Sequence, residues 1–274
     1  MENSLCPSLS ENDKFRSDYV WNLIQNIQNK TTCDTHSRTP RVMIQYWHDS
    51  SEIPSDVQSC IDSWNKFLAT RMRKVLFNDT LAREFICSNY PDKYSQAFNK
   101  CHHPAMRCDY FRLCYIYKLG GFYLDADEFF LGKKSPNFFL GNKLKIQPLC
   151  YDKTCRKMVP STLFMRESKP PANWIFYFNN NPLIAPANHP LIKLALDRAT
   201  HQISNSSSND DIQSITGPGN LTASTVRHAM TLRKLKRVLD FEILIDWDDV
   251  AISKWPLSYR NDARNWRLGK ELWG

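Results

Sequence analysis

The sequence has no long apolar run. No stretch of about 18 apolar residues occurs in the 274-residue chain, so no membrane-spanning helix is predicted. Residues 1–18 are polar and contain no apolar signal core. The sequence as given therefore predicts a soluble, cytoplasmic chain, and it leaves peripheral contact with a membrane surface open.

Cysteine pairs of the C-x-x-C type are also missing, although the chain has nine cysteines. The count is odd, and Cys60, Cys108 and Cys114 lie inside apolar helix patterns, where a free thiol packs as a small hydrophobic group. Because no signal peptide is predicted, the thiols are expected to be reduced. Cys101-His102-His103, followed by Cys108, is therefore predicted to be loop and core rather than a zinc site.

The charge of the chain is unbalanced towards the basic side, with a formal net charge of +8. A basic surface favours anionic partners such as nucleotides, anionic glycans, membrane surfaces and nucleic acids. No recognised nucleic-acid-binding module accompanies the charge, so no nucleic-acid partner is predicted. Apolar residues make up 42% of the chain, which is enough for the core of one large domain.

Helix and strand patterns divide the chain in two. Residues 1–39 are predicted to be a helical appendage and linker, because apolar side chains from Phe15 to Ile27 recur at helical spacing and polar residues follow. Residues 40–274 form the main domain. Its first strands, 42–47 and 73–77, alternate with helices, which indicates an α/β fold with a mostly parallel central sheet. Ligands of such sheets bind at the carboxyl ends of the strands.

One helix stands out because apolar residues cover most of its circumference. Between Ala105 and Leu119 only a narrow face carries charge, and Asp109 and Arg112 are neighbours on that face. The helix is therefore predicted to be buried. Gly120-Gly121 ends it, since glycine accepts the left-handed backbone of a helix C-cap.

Two acidic residues follow the next strand. Phe122–Leu124 is predicted to be a short buried strand, and Asp125 and Asp127 come after it. Buried carboxylates repel each other, and a hard divalent cation offsets that repulsion while leaving coordination sites for a diphosphate. An isolated D-x-D pattern is most often a solvated acidic turn. Here it completes a frame of buried helix, Gly-Gly turn and aromatic strand, so Asp125 and Asp127 are predicted to hold Mn²⁺ or Mg²⁺.

This frame, Pro104–Asp127, resembles the DXD-containing sugar transferases of glycosyltransferase family 32. That family includes fungal initiating mannosyltransferases and bacterial polysaccharide enzymes, and the clostridial glucosylating toxin domains are distant relatives. Thr39–Trp47 is similar to the family's first strand, Ile-Pro-Lys-x-x-x-Gln-x-Trp. The resemblance covers residues 40–266 and implies a GT-A-type nucleotide-sugar-binding fold with a mostly parallel sheet flanked by helices.

The resemblance also implies roles for single residues. Asp127, with Asp125, would hold the metal on the donor's diphosphate. Arg112 would reach the diphosphate or the donor sugar, and Asp109 would accept hydrogen bonds from sugar hydroxyls. Tyr123 matches a family position that contacts the donor.

Strand 42–47 supplies two further candidates for donor binding. Gln45 and Trp47 match the family's Gln-x-Trp pattern. Trp47 ends the strand, where the resemblance implies that its ring stacks on the nucleotide base. The alternative is a tryptophan that belongs to the core.

The second half of the chain carries weaker signals. We expect strands at 138–140, 143–146 and 175–178, a turn at Asn179–Pro182, and an acceptor-side loop at 150–171. Family members often have a histidine and a Ser-Trp pair near the C-terminus. This chain has Asn261, Asp262 and Asn265-Trp266 there, which leaves the third metal ligand open.

The expected function is metal-dependent transfer of a sugar from a UDP- or GDP-linked donor to a glycan or protein acceptor, with retention of configuration. Polysaccharide biosynthesis and glycosylation of a host protein by a secreted effector both fit. One alternative is a haloacid-dehalogenase-type phosphatase, whose D-x-D-x-Thr/Val motif differs here at Phe129. Another is an inactive sugar-binding or adaptor protein.

Overall fold

The computed structural model of the protein describes residues 12–26, 38–65, 72–132, 141–205 and 211–265. Its helices are α1 (Asp13–Gln25), α2 (Ser55–Ser63), α3 (Asp79–Asn89), α4 (Asp92–Lys100), α5 (Pro104–Leu119), α6 (Ser161–Phe164), α7 (Pro190–Asn205), α8 (Ile212–Ile215) and α9 (Pro218–Lys234). Its strands are β1 (Val42–Tyr46), β2 (Arg73–Phe77), β3 (Gly121–Tyr123), β4 (Glu128–Phe130), β5 (Leu144–Asp152), β6 (Lys157–Val159), β7 (Trp174–Ala185), β8 (Phe241–Ile243) and β9 (Ala251–Ser253).

The central sheet has seven strands in the part of the chain that the structure describes. Its order is β2-β1-β3-β7-β5-β6, and β8 pairs with the N-terminal part of β5. Strands β1, β2, β3, β5 and β8 run in one direction, whereas β6 and β7 run opposite to them. The predicted α/β fold with a mostly parallel central sheet and flanking helices is thus confirmed.

The N-terminal helix α1 packs on this sheet. The Trp21 ring lies 4.9 Å from that of Phe176 in β7, and the Phe176 amide donates a hydrogen bond to the Ser17 hydroxyl at 2.9 Å. Val20 and Ile24 on the same helix are buried in the main core. Most of the predicted linker lies outside the described residues, so the division at residue 39 stays a prediction.

Two expectations for the second half were wrong. Asn179–Pro182 is not a turn but the middle of β7. The Asn-Asn-Asn-Pro run is typical of turns, yet tertiary hydrogen bonds hold its side chains in an extended strand. Residues 150–171 are not an open loop, because β5 continues to Asp152 and forms a hairpin with β6, followed by α6. The strand expected at 138–140 lies outside the described residues.

A second, two-stranded sheet brings the C-terminal region to the D-x-D motif. Strand β4 directly follows Asp127 and pairs antiparallel with β9, so that Glu128 faces Ser253. A 3₁₀ turn, Ser258–Asn261, then lies beside the motif. Within the described ranges, no helix has the length and apolar character needed to cross a membrane.

Candidate active site

A cavity of about 680 Å³ lies at the carboxyl ends of β1 and β3. Five of the predicted site residues line it: Trp47, Asp109, Arg112, Asp125 and Asp127. The two others, Gln45 and Tyr123, are fully buried beneath it. The fold thus gathers residues from two strands and one helix at a single edge of the sheet, as expected for ligand sites in such sheets.

Helix α5 carries the predicted Asp/Arg pair to this cavity. It begins at Pro104, where the His103 ring accepts a hydrogen bond from the Ala105 amide at 3.1 Å, and proline suits the first turn because no intrahelical donor is needed there. Gly120 ends it with φ of +68°, a conformation that strains other residues. A Cβ at Gly120 would also lie 2.6 Å from the Ala187 nitrogen. The chain can therefore turn directly into β3.

Arg112 is the centre of a buried network. Its Nη2 atom contacts both Asp109 Oδ1, at 2.8 Å, and Asp125 Oδ1, at 2.9 Å. Nη1 donates to the Asn180 carbonyl at 2.9 Å, and the guanidinium lies 4.4 Å from the centre of the Tyr123 ring. With its side chain 4% exposed, Arg112 is not the solvated surface partner that a charged helix face would suggest. Its Nε has no partner among the described residues.

Asp109 is held from several sides. Its Oδ1 accepts a hydrogen bond from the Asn180 amide at 2.8 Å, and the Thr216 hydroxyl lies 3.5 Å from Oδ2. Burial raises the pKa of the Asp109 carboxyl, while the charge of Arg112 opposes the rise. The carboxylate faces the cavity with few contacts at Oδ2, which is compatible with hydrogen bonds from a sugar hydroxyl.

Asp125 is fixed through both its backbone and its side chain. Its amide donates to Asn181 Oδ1 at 2.9 Å, and its Oδ1 accepts from Arg112 and from the Tyr123 hydroxyl at 3.2 Å. Burial raises the pKa of Asp125 to about 6, with Arg112 lowering it and Asp127 raising it further. The Oδ2 atom accepts no hydrogen bond from the described residues.

Asp127 is paired with the C-terminal turn. Its Oδ2 accepts a hydrogen bond from the Tyr259 hydroxyl at 2.8 Å and forms an ion pair with Arg260 Nη2. Burial and the Asp127 charge raise the pKa of Tyr259, so its hydroxyl stays protonated and donates. The Arg260 guanidinium also stacks 3.8 Å from the centre of the Trp255 ring. The other oxygen of Asp127, Oδ1, has no partner within the described ranges.

Glu128 is a buried acid next to the motif. Its Oε1 accepts hydrogen bonds from the Asn181 amide and the Ser253 hydroxyl, both at 2.8 Å. Its Oε2 has no partner among the described residues. Burial, and to a lesser degree Asp127, raise the pKa of Glu128 to about 8. A protonated Glu128 limits the negative charge that collects around the motif at neutral pH.

Trp47 lies in the wall of the cavity. Its ring meets Tyr259 edge-on at 5.3 Å, and its Nε1 donates to the Glu52 carbonyl at 3.3 Å. The residue is 7% exposed. Trp47 therefore combines packing against neighbours with access to the cavity, and stacking on a nucleotide base stays a prediction.

Gln45 and Tyr123 support the motif from below. The Gln45 amide lies 3.4 Å from the Asp125 carbonyl, and its Oε1 has no partner in the described part of the chain. The Tyr123 hydroxyl lies 2.8 Å from Cys108 Sγ and underlies Arg112. Both residues act on the position of Asp125, and direct contact of either with a donor stays a prediction.

Sequence reasoning missed several residues that complete this site. Asn180 and Asn181 tie β7 to Asp109, Asp125 and Glu128, although their run had been interpreted as a turn. Tyr259 and Arg260 come from the weakly patterned tail. A usable signal was the asparagine run itself, because side-chain amides can satisfy buried carboxylates.

The residues of the motif fit a hard divalent cation. Asp125 Oδ2 and Asp127 Oδ1 are carboxylate oxygens without hydrogen-bond partners in the described ranges, and carboxylate oxygen is the donor that Mg²⁺ and Mn²⁺ prefer. In the same ranges no group of three or more His, Cys, Asp or Glu side chains forms a metal cluster. Further ligands would then come from a diphosphate and water, as is usual for a cation bound with nucleotide phosphates.

A family of known proteins matches the region of the chain that carries the motif. Residues 54–148 match the family described as a glycosyltransferase sugar-binding region containing a DXD motif. That segment includes α5, β3 and both motif aspartates. The solved structure titled "PaToxG Glycosyltransferase" is similar at 15% identity and a TM-score of 0.43, over 94% of this chain and 96% of that one. No curated protein matches the chain. The part of the chain that carries Asp125 and Asp127 is therefore similar to the DXD-containing sugar-binding region of glycosyltransferases.

Proposed function

We propose that the protein transfers a sugar from a UDP- or GDP-linked donor to a glycan or protein acceptor, and that Asp125 and Asp127 hold Mn²⁺ or Mg²⁺ for the reaction. The observation that carries this proposal is the pair of carboxylate oxygens without partners among the described residues, Asp125 Oδ2 and Asp127 Oδ1, in the wall of a cavity large enough for a nucleotide.

The cation, when bound, would neutralise the charge that develops on the leaving diphosphate. The protein's own residues orient the reacting groups. Arg112 fixes the Asp125 carboxylate and contributes positive charge to the cavity wall. The buried network around it is preorganised, so little rearrangement is needed when the diphosphate binds.

The remaining site residues suit the other parts of the donor. Trp47 offers an aromatic ring to the base, and Asp109 Oδ2 offers an acceptor to sugar hydroxyls. Retention of the anomeric configuration is part of the proposal and rests on the family resemblance. No residue is assigned as nucleophile, because no carboxylate or hydroxyl in the described part of the chain has a geometry that singles it out.

The acceptor side of the cavity is proposed to be the β5–β6 hairpin. Met158 and Val159 of β6 line the cavity, and Met158 is 48% exposed. Methionine is flexible and polarizable, and it is common at surfaces that bind varied partners. Glycan-building activity and glycosylation of a protein are both compatible with such a surface.

A product screen tests this function. The protein would be incubated with Mn²⁺, a panel of UDP- and GDP-linked sugars and candidate acceptors, and the products analysed by mass spectrometry. We expect a mass increase of one hexose-type unit, or slow hydrolysis of one donor when the acceptor is absent. Tight donor binding without any product would indicate the inactive sugar-binding protein instead.

A further inference from the structure

The second carboxylate of the D-x-D motif already has a cation. Asp127 Oδ2 is ion-paired with Arg260, which the 3₁₀ turn Ser258–Asn261 places at the cavity. The two side chains are only 14% and 11% exposed, so this is not one of the solvated surface pairs that contribute almost nothing. The pair Arg264–Asp262 in the same segment, with exposures of 30% and 44%, shows the ordinary solvated case.

The backbone around Arg260 is anchored independently of Asp127. Asp56 on α2 accepts hydrogen bonds from the Ser258 amide at 2.6 Å and from its hydroxyl at 3.0 Å. The Asn265 amide donates to the Arg260 carbonyl at 2.7 Å. Because these contacts hold the turn, the Arg260 side chain can leave Asp127 without release of the segment.

A divalent cation and Arg260 place like charges at the same carboxylate. A cation bound at Asp127 Oδ1 would lie within a few ångströms of the guanidinium on Oδ2, and like charges at that separation repel each other strongly in a site shielded from water. Binding of the ion therefore opposes the Arg260 ion pair. The repulsion is weaker at Asp125, because the charge of its partner Arg112 is also balanced by Asp109.

Arg260 also has an unused donor. Its Nε is buried and has no partner among the described residues. The residue lines the cavity, and a guanidinium with a donor to spare is suited to bidentate contact with phosphate oxygens once the side chain moves. The chemistry that would satisfy it is that of a diphosphate.

We propose that Arg260 is a diphosphate-binding residue that neutralises Asp127 until a divalent cation displaces it, after which its guanidinium pairs with the donor's phosphates. This inference rests on the proposed function, because it requires that Asp127 binds the cation. It assigns opposite effects to one side chain: Arg260 weakens binding of the bare ion and strengthens binding of the ion together with diphosphate.

The test uses Arg260→Gln, Arg260→Lys and a matched control, Lys254→Gln. Lys254 lies just upstream in the chain, but its ammonium is placed over the Phe129 ring at 5.3 Å rather than on a motif carboxylate. Mn²⁺ binding is followed by the electron paramagnetic resonance signal of free Mn²⁺. Binding of inorganic diphosphate at saturating Mn²⁺ is followed by titration calorimetry, and thermal melting confirms that each variant is folded.

We expect Arg260→Gln to bind Mn²⁺ alone at least ten-fold more tightly than the parent and to bind diphosphate with Mn²⁺ at least ten-fold more weakly. Arg260→Lys should lie between the two, and Lys254→Gln should change either constant by less than three-fold. Unchanged or weaker Mn²⁺ binding in Arg260→Gln would overturn the proposal, and so would unchanged diphosphate binding.

Asp127→Asn separates this proposal from the function on which it rests. If the parent binds Mn²⁺ and Asp127→Asn does not, the metal site stands whatever Arg260 does. If Asp127→Asn binds Mn²⁺ as the parent does, or if no variant binds it, the metal site itself is wrong and the Arg260 proposal is overturned with it.

Discussion

The two aspartates of the D-x-D motif are neighbours in sequence but belong to different parts of the molecule. Asp125 is tied to the core: its partners Arg112 and Asn181 come from helix α5 and strand β7. Asp127 is tied to the C-terminal turn through Tyr259 and Arg260. Each carboxylate uses one oxygen for an internal cation and leaves the other without a partner among the described residues.

The difference suggests a division of tasks between the two halves. The surroundings of Asp125 are fixed when the chain folds, because its partner Arg112 also pairs with Asp109 and donates a hydrogen bond to the Asn180 carbonyl. The Asp127 half depends on one side chain from a short turn. The rigid surroundings of Asp125 would position the cation, and the adjustable surroundings of Asp127 would respond to it. Both suit a site that must bind a donor and then release a product.

The largest effect should come from the core half. Arg112→Ala leaves Asp109 and Asp125 buried without their cation, and breaking a buried pair costs about 3–5 kcal/mol of unfolding free energy. Loss of a positioned electrostatic contact should lower turnover by ~10²-fold or more. Urea unfolding and initial rates with the donor found in the product screen measure the two effects.

A matched control for Arg112 is Arg107→Ala on the same helix. Arg107 pairs with Asp79 at 2.9 Å and does not line the cavity. Its loss should cost about 1 kcal/mol of stability and leave turnover unchanged. Equal effects of the two substitutions would show that Arg112 has no role beyond the fold.

Substitution of each motif aspartate should affect the free energy of unfolding differently. Asp125→Asn removes a charge partner of buried Arg112 and should lower the unfolding free energy by about 1–3 kcal/mol. Asp127→Asn should lower it by less, because the Arg260 guanidinium lines the cavity, where water can solvate it, and keeps its contact with the Trp255 ring. The comparison is made by urea unfolding without metal, and a reversed order of stabilities would contradict the division between core and turn.

Trp47 tests whether the cavity wall binds a base. Stacking on a base is worth roughly 1–3 kcal/mol, so Trp47→Ala should weaken binding of the nucleoside diphosphate by ~10-fold or more. Trp47→Phe should retain much of the affinity, since it keeps an aromatic face. Titration calorimetry and thermal melting separate this from a core tryptophan, whose truncation would cost ~3–5 kcal/mol of stability and leave nucleotide binding unchanged.

The smallest effect is expected at Tyr259. Tyr259→Phe removes one hydrogen bond to Asp127 and keeps the edge-on contact with Trp47. A hydrogen bond to a charged group contributes about 1.5–3 kcal/mol at most, and solvent at the turn reduces this. We expect a change of a few-fold in Mn²⁺ affinity, read from the free-ion resonance signal, and a loss of all binding would contradict the minor role given to the hydroxyl.

Much of the fold could be predicted from local patterns, because the first half of the chain has strong apolar periodicity and a Gly-Gly pair that marks a helix end. Strands β1 and β2, helix α5 and the D-x-D position follow from apolar spacing and from Gly120-Gly121. The same patterns predicted that Asp109 and Arg112 are neighbours. Their burial together with Asp125 could not be read from the helix alone, because it depends on β7 crossing over the pair.

The partners of the motif were harder to predict because they are distant in sequence. Arg260 meets Asp127 across 133 positions, and the pairing of β4 with β9 and the contacts of Ser258 with Asp56 bring them together. Asn181 meets Asp125 through a strand that sequence signals had marked as a turn. The buried carboxylates of the site need amide partners, and this need overrides the local turn propensity of the asparagine run. The wrong prediction therefore concerns residues of the site itself.

The measurement that tests the central claim most directly is the Mn²⁺ dependence of sugar transfer in the parent and in Asp127→Asn. With the donor identified by the product screen, the parent should lose transfer in excess EDTA and regain it when Mn²⁺ is added. Asp127→Asn should remain folded and show at most a few per cent of that rate at any Mn²⁺ concentration. Full transfer by the parent in EDTA, or normal Mn²⁺-dependent transfer by Asp127→Asn, would contradict the assignment of this motif as the metal site of a glycosyltransferase.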